Sequence, residues 1–331
     1  DWLKINFSES GFFRTAYSKE LLEKLKMPVE KKLLSARDRL GIIRDLFALA
    51  EAGNIPTTDA LEFLQSYKNE DNYTVWLELA IGLGRLEQLL PEYQLKGHLG
   101  RLILGLFSAL SERRGWEPKA EENHADTLLR SLAISRAGRF GDEKVISEAR
   151  KKIAVIQNGG HVNPDIRGAI YTTVATHGGI KEYEAFIEQY KKETLHEEKN
   201  RIGGVLGDFG DLKILNLACE FAFSPNVRSQ DSIGILSSVG ANPIGRDIWL
   251  KFIRKNWKTL VTRYGDGGHS LARLVKAISA SATSKHLKIF KNFFATHEAP
   301  GAKRAIQQVL ERIEGNIEWL KRDKKSIKAI F

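Results

Sequence analysis

One cysteine, one methionine and eight prolines among 331 residues give this chain little with which to crosslink or interrupt itself. With Cys219 alone, neither an intrachain disulfide nor a cysteine-based zinc site can form, and a cytoplasmic location is expected. No apolar run approaches the roughly 18 residues of a membrane span, so no membrane partner is expected. The opening stretch, Asp1-Trp2-Leu3-Lys4-Ile5-Asn6-Phe7, alternates and carries charge, unlike a signal peptide. Asp1 stands where an initiator Met would, and reads as a cut or processed end of a longer protein. Alternating, strand-like patterns are scarce beyond Tyr17.

Catalytic motifs are missing as well. His196-Glu197-Glu198-Lys199-Asn200 comes closest to the helix that presents two zinc-binding imidazoles one turn apart, but Asn200 occupies the second ligand position. It reads as an exposed, charged helix start. Gly203, Gly204, Gly207 and Gly210 read as lying between helices, and the Lys-Ser/Thr of a phosphate loop does not follow them. No Gly-x-Ser-x-Gly elbow occurs. The expectation is a chain with no catalytic residue and no metal ligand of its own.

What remains is helix and charge. Leu40, Ile43, Leu46, Phe47 and Ala50 share one helical face, with Ser35 placed to cap its start and Gly53 its end. Pro56-Thr57-Thr58-Asp59 opens another helix, with Thr58 or Asp59 as its cap. Polar breaks recur, and about fifteen helices of roughly 10–20 residues joined by short connections describe stacked helical hairpins. The fold class is therefore all-α: HEAT-like antiparallel helices forming a curved superhelix or bowl over residues 19–331. Residues 1–18 differ. Leu3, Ile5 and Phe7, a turn at Ser8 to Gly11, and Phe13 to Tyr17 read as a short β-hairpin, the remnant of a preceding β-sandwich domain. The net charge is +10, and residues 241–331 carry 19 Lys and Arg against 7 Asp and Glu. The basic excess belongs to that last quarter, which is where acidic partners should meet the chain. Trp249, Phe252, Ile253 and Trp257 lie at core spacing, and no base-reading motif accompanies them, so nucleic acid is not an expected partner.

Several segments together resemble the C-terminal domain of gluzincin aminopeptidases of the puromycin-sensitive type. They are Gly11-Phe12-Phe13-Arg14-x-x-Tyr17, Glu70-x-x-Tyr73-x-x-Trp76, Glu197 to Ile202, Asn242-Pro243-x-Gly245, Trp249 to Trp257, and Asn316-Ile317-x-Trp319-Leu320-Lys321-Arg322-Asp323. They follow in the family's order and span essentially the whole chain. The resemblance implies a preceding β-sandwich and a zinc-bearing catalytic domain in the same protein, with zinc held there and not here. It also implies a role: capping the substrate chamber and contacting the distal part of a peptide whose N-terminal residue is removed elsewhere. Tyr93 matches a segment that faces the chamber in the family. Arg130, Arg167, Tyr171 and Arg201 are the other candidates for peptide contact, although an internal salt bridge is the first explanation for each arginine. A free-standing helical scaffold for acidic peptides or proteins is the alternative reading, and the leading hairpin argues against it.

The 331-residue chain is expected to hold well under one zinc per molecule after dialysis. Elemental analysis checks this, and one tightly held zinc together with aminopeptidase turnover would overturn it.

Overall fold

The computed structural model describes residues 1–90, 97–265 and 269–329. Sixteen α-helices form among them. The first six are α1 (Lys19–Glu30), α2 (Ala36–Ala52), α3 (Thr57–Phe63), α4 (Tyr73–Leu89), α5 (His98–Arg114) and α6 (His124–Arg139). Next come α7 (Glu143–Gln157), α8 (Pro164–Thr176), α9 (Ile180–Lys192), α10 (His196–Val205) and α11 (Leu212–Ala222). The last are α12 (Ser229–Ala241), α13 (Arg246–Tyr264), α14 (His269–Lys276), α15 (Ser284–Phe294) and α16 (Lys303–Ala329). No strand forms among the described residues. No helix there is long and apolar enough to cross a membrane. The chain divides into two compact units: Asp1–Glu87, Tyr93–Asp142 and Trp319–Phe331 make the first, and Gln88–Glu92 with Glu143–Glu318 the second.

Helix ends follow the side-chain chemistry. The Ser35 hydroxyl accepts from Asp38 N at 3.1 Å. Gly53, at φ 82°, takes the left-handed conformation that ends α2 without a Cβ penalty. α3 starts two or three residues earlier than expected: its first residue is Thr57, behind Pro56, in place of a cap at Thr58 or Asp59. The Thr57 side chain is not free to act as a cap. It accepts from Trp319 Nε1 at 2.8 Å and donates to Asp323, tying the last turns of α16 to the start of α3. All three residues are buried.

The expected hairpin over residues 1–18 does not form. Two buried aspartates one heptad apart on α2, Asp38 and Asp45, take the backbone donors that a strand ladder would have used. Ser8 N donates to Asp38 Oδ1 at 2.7 Å and Thr15 N to Asp45 Oδ2 at 3.0 Å. Lys4 is buried beside them, 3.8 Å from Asp38 and 3.0 Å from Glu9. The segment does return on itself, but through a side chain: Tyr17 Oη accepts from Ile5 N at 2.9 Å. A 3-10 turn, Phe7–Glu9, stands where the first strand would have ended. Trp2, Leu3, Ile5, Phe7, Phe12 and Phe13 are left exposed.

A buried ion pair holds the middle of the first unit. Arg39 grips Glu70 with two hydrogen bonds of 2.6 and 2.8 Å, and Tyr67 Oη donates to Arg39 O. Trp76 Nε1 closes the cluster on Glu70 O at 3.0 Å. These contacts join α2, the turn after α3 and the start of α4.

In the second unit the helices pack alternately. Contacts of α8 with α10, α10 with α12, and α12 with α14 make one row. Contacts of α11 with α13 and α13 with α15 make another, and each row rests on the other. Close approach is possible because Gly207 has no side chain: a Cβ there would lie 2.3 Å from Ser238 backbone carbon. Asn242 secures the same junction, donating to Gly207 O at 2.7 Å and Phe209 O at 3.0 Å. Trp249, Ile253 and Trp257 are buried as their spacing required, and half-buried Phe252 packs edge-on against Phe223. Cys219 is fully buried, and that burial pushes its thiol up to about 12, where it is inert.

Replacing Thr57 by Val leaves the Trp319 donor without its acceptor and takes one donor from the buried Asp323, which keeps Arg322. The expected cost is about 1–3 kcal/mol, seen as a lower denaturant midpoint at unchanged slope, with Thr57→Ser near wild type.

Candidate functional site

Three of the five residues expected to touch peptide come together in the second unit, but as parts of the fold. Arg167 and Tyr171 lie on α8 and Arg201 on α10, and all three converge on Glu198. Glu198 is 2% exposed, which corrects its reading as part of an exposed helix start. Tyr171 Oη donates to Glu198 Oε1 at 2.5 Å and accepts from Gln189 Nε2 at 3.0 Å. Arg201 pairs with Glu198 and, at 2.9 Å, with Glu197. Arg167 stands 3.7 Å from Glu198 and gives its Nε to Val162 O. Burial, reinforced by the hydrogen bond to Glu198, raises the Tyr171 pKa well above that of a free phenol. A carboxylate out of water must be neutralised on the spot, and these two guanidinium groups and one hydroxyl do it.

The other two candidates lie elsewhere. Arg130, on α6 in the first unit, is 0% exposed and pairs with Glu122. Its Nε and Nη1 meet no acceptor, yet with no surface it presents nothing to solution. Tyr93 lies outside the described residues.

What sequence reasoning missed is a groove on the row of α10 and α12, about 490 Å³ in volume. Gly203 and Gly204 line it from inside α10, not between helices as expected, and Gly234 faces them from α12. A Cβ at Gly204 or Gly234 would meet nothing within 4 Å, so the absent side chains open the groove and are not required for packing. Tyr190 lines it, 1% exposed, and its hydroxyl has no hydrogen-bond partner. Ser237 Oγ is in the same position. Burial raises the Tyr190 pKa, which keeps the hydroxyl a donor. Lys199 stands 5.3 Å from the centre of the Tyr190 ring, and Arg273 lines the groove from α14. Among the described residues neither cation has a carboxylate partner. A legible signal existed: three glycines at positions where a helix surface normally carries side chains, next to an unpaired lysine.

Other chemistry is closed off. Ser281, His286 and Asp247 are linked like a hydrolase triad, with Ser281 Oγ 2.7 Å from His286 Nδ1 and His286 Nε2 3.0 Å from Asp247 Oδ1. Ser281 is wholly buried, so no substrate reaches its hydroxyl, and the chain of bonds instead fixes the start of α15 against α13. Among the described residues no three His, Cys, Asp or Glu side chains gather as metal ligands, so the residues present do not fit a zinc.

The sequence is similar to part of several proteins named aminopeptidases. Aminopeptidase M1 of Arabidopsis thaliana is 29% identical over 333 residues, covering 98% of this chain and 38% of its own length. Aminopeptidase N of Homo sapiens is 26% identical over 345 residues, covering all of this chain and 36% of its own length. Aminopeptidase 2 of Candida albicans is 28% identical over 334 residues, 99% of this chain and 36% of its own. The chain thus spans well under half the length of these relatives. The family model described as the ERAP1-like C-terminal domain matches residues 2–315. With that match running through the helices of both units, the chain belongs to the ERAP1-like C-terminal domain family of M1 aminopeptidases.

Proposed function

We propose that this chain is the non-catalytic C-terminal domain of a zinc metallo-aminopeptidase that removes N-terminal residues from peptides, and that it caps the substrate chamber and contacts the peptide's distal part. The observation that carries this reading is the whole-chain match to proteins named aminopeptidases, which leaves more than half of each relative to house the catalytic zinc. In this reading residues 1–18 join the chain to a preceding β-sandwich, and residues 19–331 are the helical domain. The six apolar side chains exposed within the first thirteen residues support such a neighbour, because a solvated surface has no use for them in one place. The alternating rows of the second unit support HEAT-like stacking. The single buried cysteine suits a cytoplasmic protein.

Peptide contact moves from the residues first expected to the groove beside them. Arg167, Tyr171 and Arg201 are spent on Glu198. Lys199 and Arg273 have no ion-pair partner among the described residues, the groove's own Asp231 being paired with Arg228, so these two cations suit the carboxylate end of a peptide. Exposed pairs contribute about 0–1 kcal/mol each, so the affinity is no better than high micromolar and falls with salt.

Two outcomes are expected. In calorimetric titration, a ten-residue peptide binds more tightly than its C-terminally amidated twin, and Lys199→Ala with Arg273→Ala removes the difference. Equal affinity for the twins in the unmutated chain would leave a purely steric cap. Separately, Glu198→Ala is expected to cost about 1–3 kcal/mol of stability, by leaving the half-buried Arg167 and Arg201 guanidinium groups and the Tyr171 hydroxyl without their shared acceptor, with Glu198→Gln milder. A thermal melt of each variant checks this, and at a temperature where Glu198→Gln stays folded its peptide affinity should be unchanged.

A further inference from the structure

The second row of the second unit carries a surface of a different kind. Between Arg246 and Glu298 the sequence has 11 Lys and Arg against 3 Asp and Glu. Four of these cations, Lys251, Arg254, Lys255 and Lys258, fall at i, i+3, i+4 and i+7 on α13, opposite the buried Trp249, Ile253 and Trp257. All four are exposed, as are Lys288 and Lys291 on α15, which packs against α13. Among the described residues none of the six has an ion pair.

Other helices of the chain offer a contrast. Several of their lysines meet an acid three or four residues away: Lys24 with Glu20, Lys26 with Glu23, Lys151 with Glu148, Lys191 with Glu188. Such pairs are the low-energy use of a surface charge on a helix. On α13 the one described acid, Asp247, is turned away to Lys285 and His286. The stripe is therefore left repelling itself. A partner charge from outside relieves that repulsion, whereas a solvated face made only for solubility would gain from interspersed acids.

The stripe borders a shallow depression of about 420 Å³, lined by Lys251, Arg254 and Lys255 on one side and by Phe293 and His297 on the other. The His297 ring stacks on Phe293 at 4.0 Å between centroids, which fixes the wall of the depression. Neighbouring cations on the stripe lie about 5–6 Å apart, and the stripe runs about 10 Å along the helix. Acids on one face of a helix repeat at about 5–6 Å, and alternate acids of an extended chain at about 7 Å, so three or four carboxylates of one segment can meet it together.

We propose that the α13–α15 face is a docking surface for an acidic polypeptide segment. Five of the six cations are lysines, which meet carboxylates as mobile point charges, and only Arg254 offers the planar fork suited to phosphate. One stacked aromatic pair, with no second platform along the stripe, argues against a single-stranded nucleic acid. The surface lies on the row of α11, α13 and α15, apart from the groove on the row of α10 and α12, and its test does not depend on that groove.

A fluorescent peptide of ten glutamates, capped at both ends, is titrated against the 331-residue chain by anisotropy. The ionic strength is about 0.01 M and then about 0.15 M, where the screening length falls from about 30 to about 8 Å. Binding is expected at the lower salt and should weaken at the higher. The variant Lys251→Glu, Arg254→Glu, Lys255→Glu should lose at least tenfold in affinity, and the neutral Gln triple an intermediate amount. Lys19→Glu, Lys31→Glu, Lys181→Glu, which changes net charge equally on other exposed positions, should lose less than twofold. Circular dichroism confirms that each variant remains folded. Equal losses in the two Glu triples would reduce the effect to net charge and overturn the site. So would an absence of binding at low salt, or a loss that follows Lys199→Ala and Arg273→Ala instead. Tighter capture of a ten-nucleotide single strand or of phosphatidylserine vesicles, abolished by the α13 triple, would overturn the assignment to a polypeptide.

Discussion

A carboxylate buried among helices has to be neutralised where it stands, and four such groups set much of this structure. Asp38 and Asp45 collect backbone donors from residues 1–18 and so decide that this segment lies on α2 as an irregular strap. Glu70 takes both arms of Arg39 and fixes the join between α2 and α4. Glu198 draws Tyr171, Arg201 and Arg167 onto the contact of α8 with α10. Leaving any of these charges unpaired would cost several kcal/mol, more than most single apolar contacts return.

The same constraint sorts the basic residues into two populations. Arg39, Arg167 and Arg201 lie against buried acids and pair with them. Lys199 and Arg273 beside the groove, and the cations of the α13 stripe, have no ion-pair partner among the described residues.

The segments that carry the family resemblance turn out to be joints. Glu70 and Trp76 close the first unit's central cluster, and Asn242 ties down the turn after α10. Asn316 gives its amide to Ser279 O and Ser281 O, and Trp319 and Asp323 meet on Thr57. Each holds a helix end or a turn by a side chain of one specific shape.

The helices themselves were legible because their signals are local. The apolar face of α2, the Ser35 cap and the Gly53 stop act within one or two turns, and the core spacing of Trp249, Ile253 and Trp257 needs no distant partner to be read. The unneutralised charge of α13 was visible too, as composition. Apart from the start of α3 and the glycines of α10, which are local misreadings, the failures were decisions made at a distance. The alternation of residues 1–17 has the period of a strand, and only Asp38 and Asp45, about thirty residues away, divert its backbone donors. Glu198 follows a run of charged residues, and nothing near it in sequence says that Tyr171, twenty-seven residues earlier, will bury it. Thr57 looked like a neighbour of a helix cap, while its hydroxyl answers to Trp319 and Asp323 at the far end of the chain. Periodicity and capping set secondary structure from the sequence; which polar side chains are consumed in the interior and which stay free for a ligand was settled only by tertiary packing, because burial, not identity, determines whether a charge must find its partner within the fold.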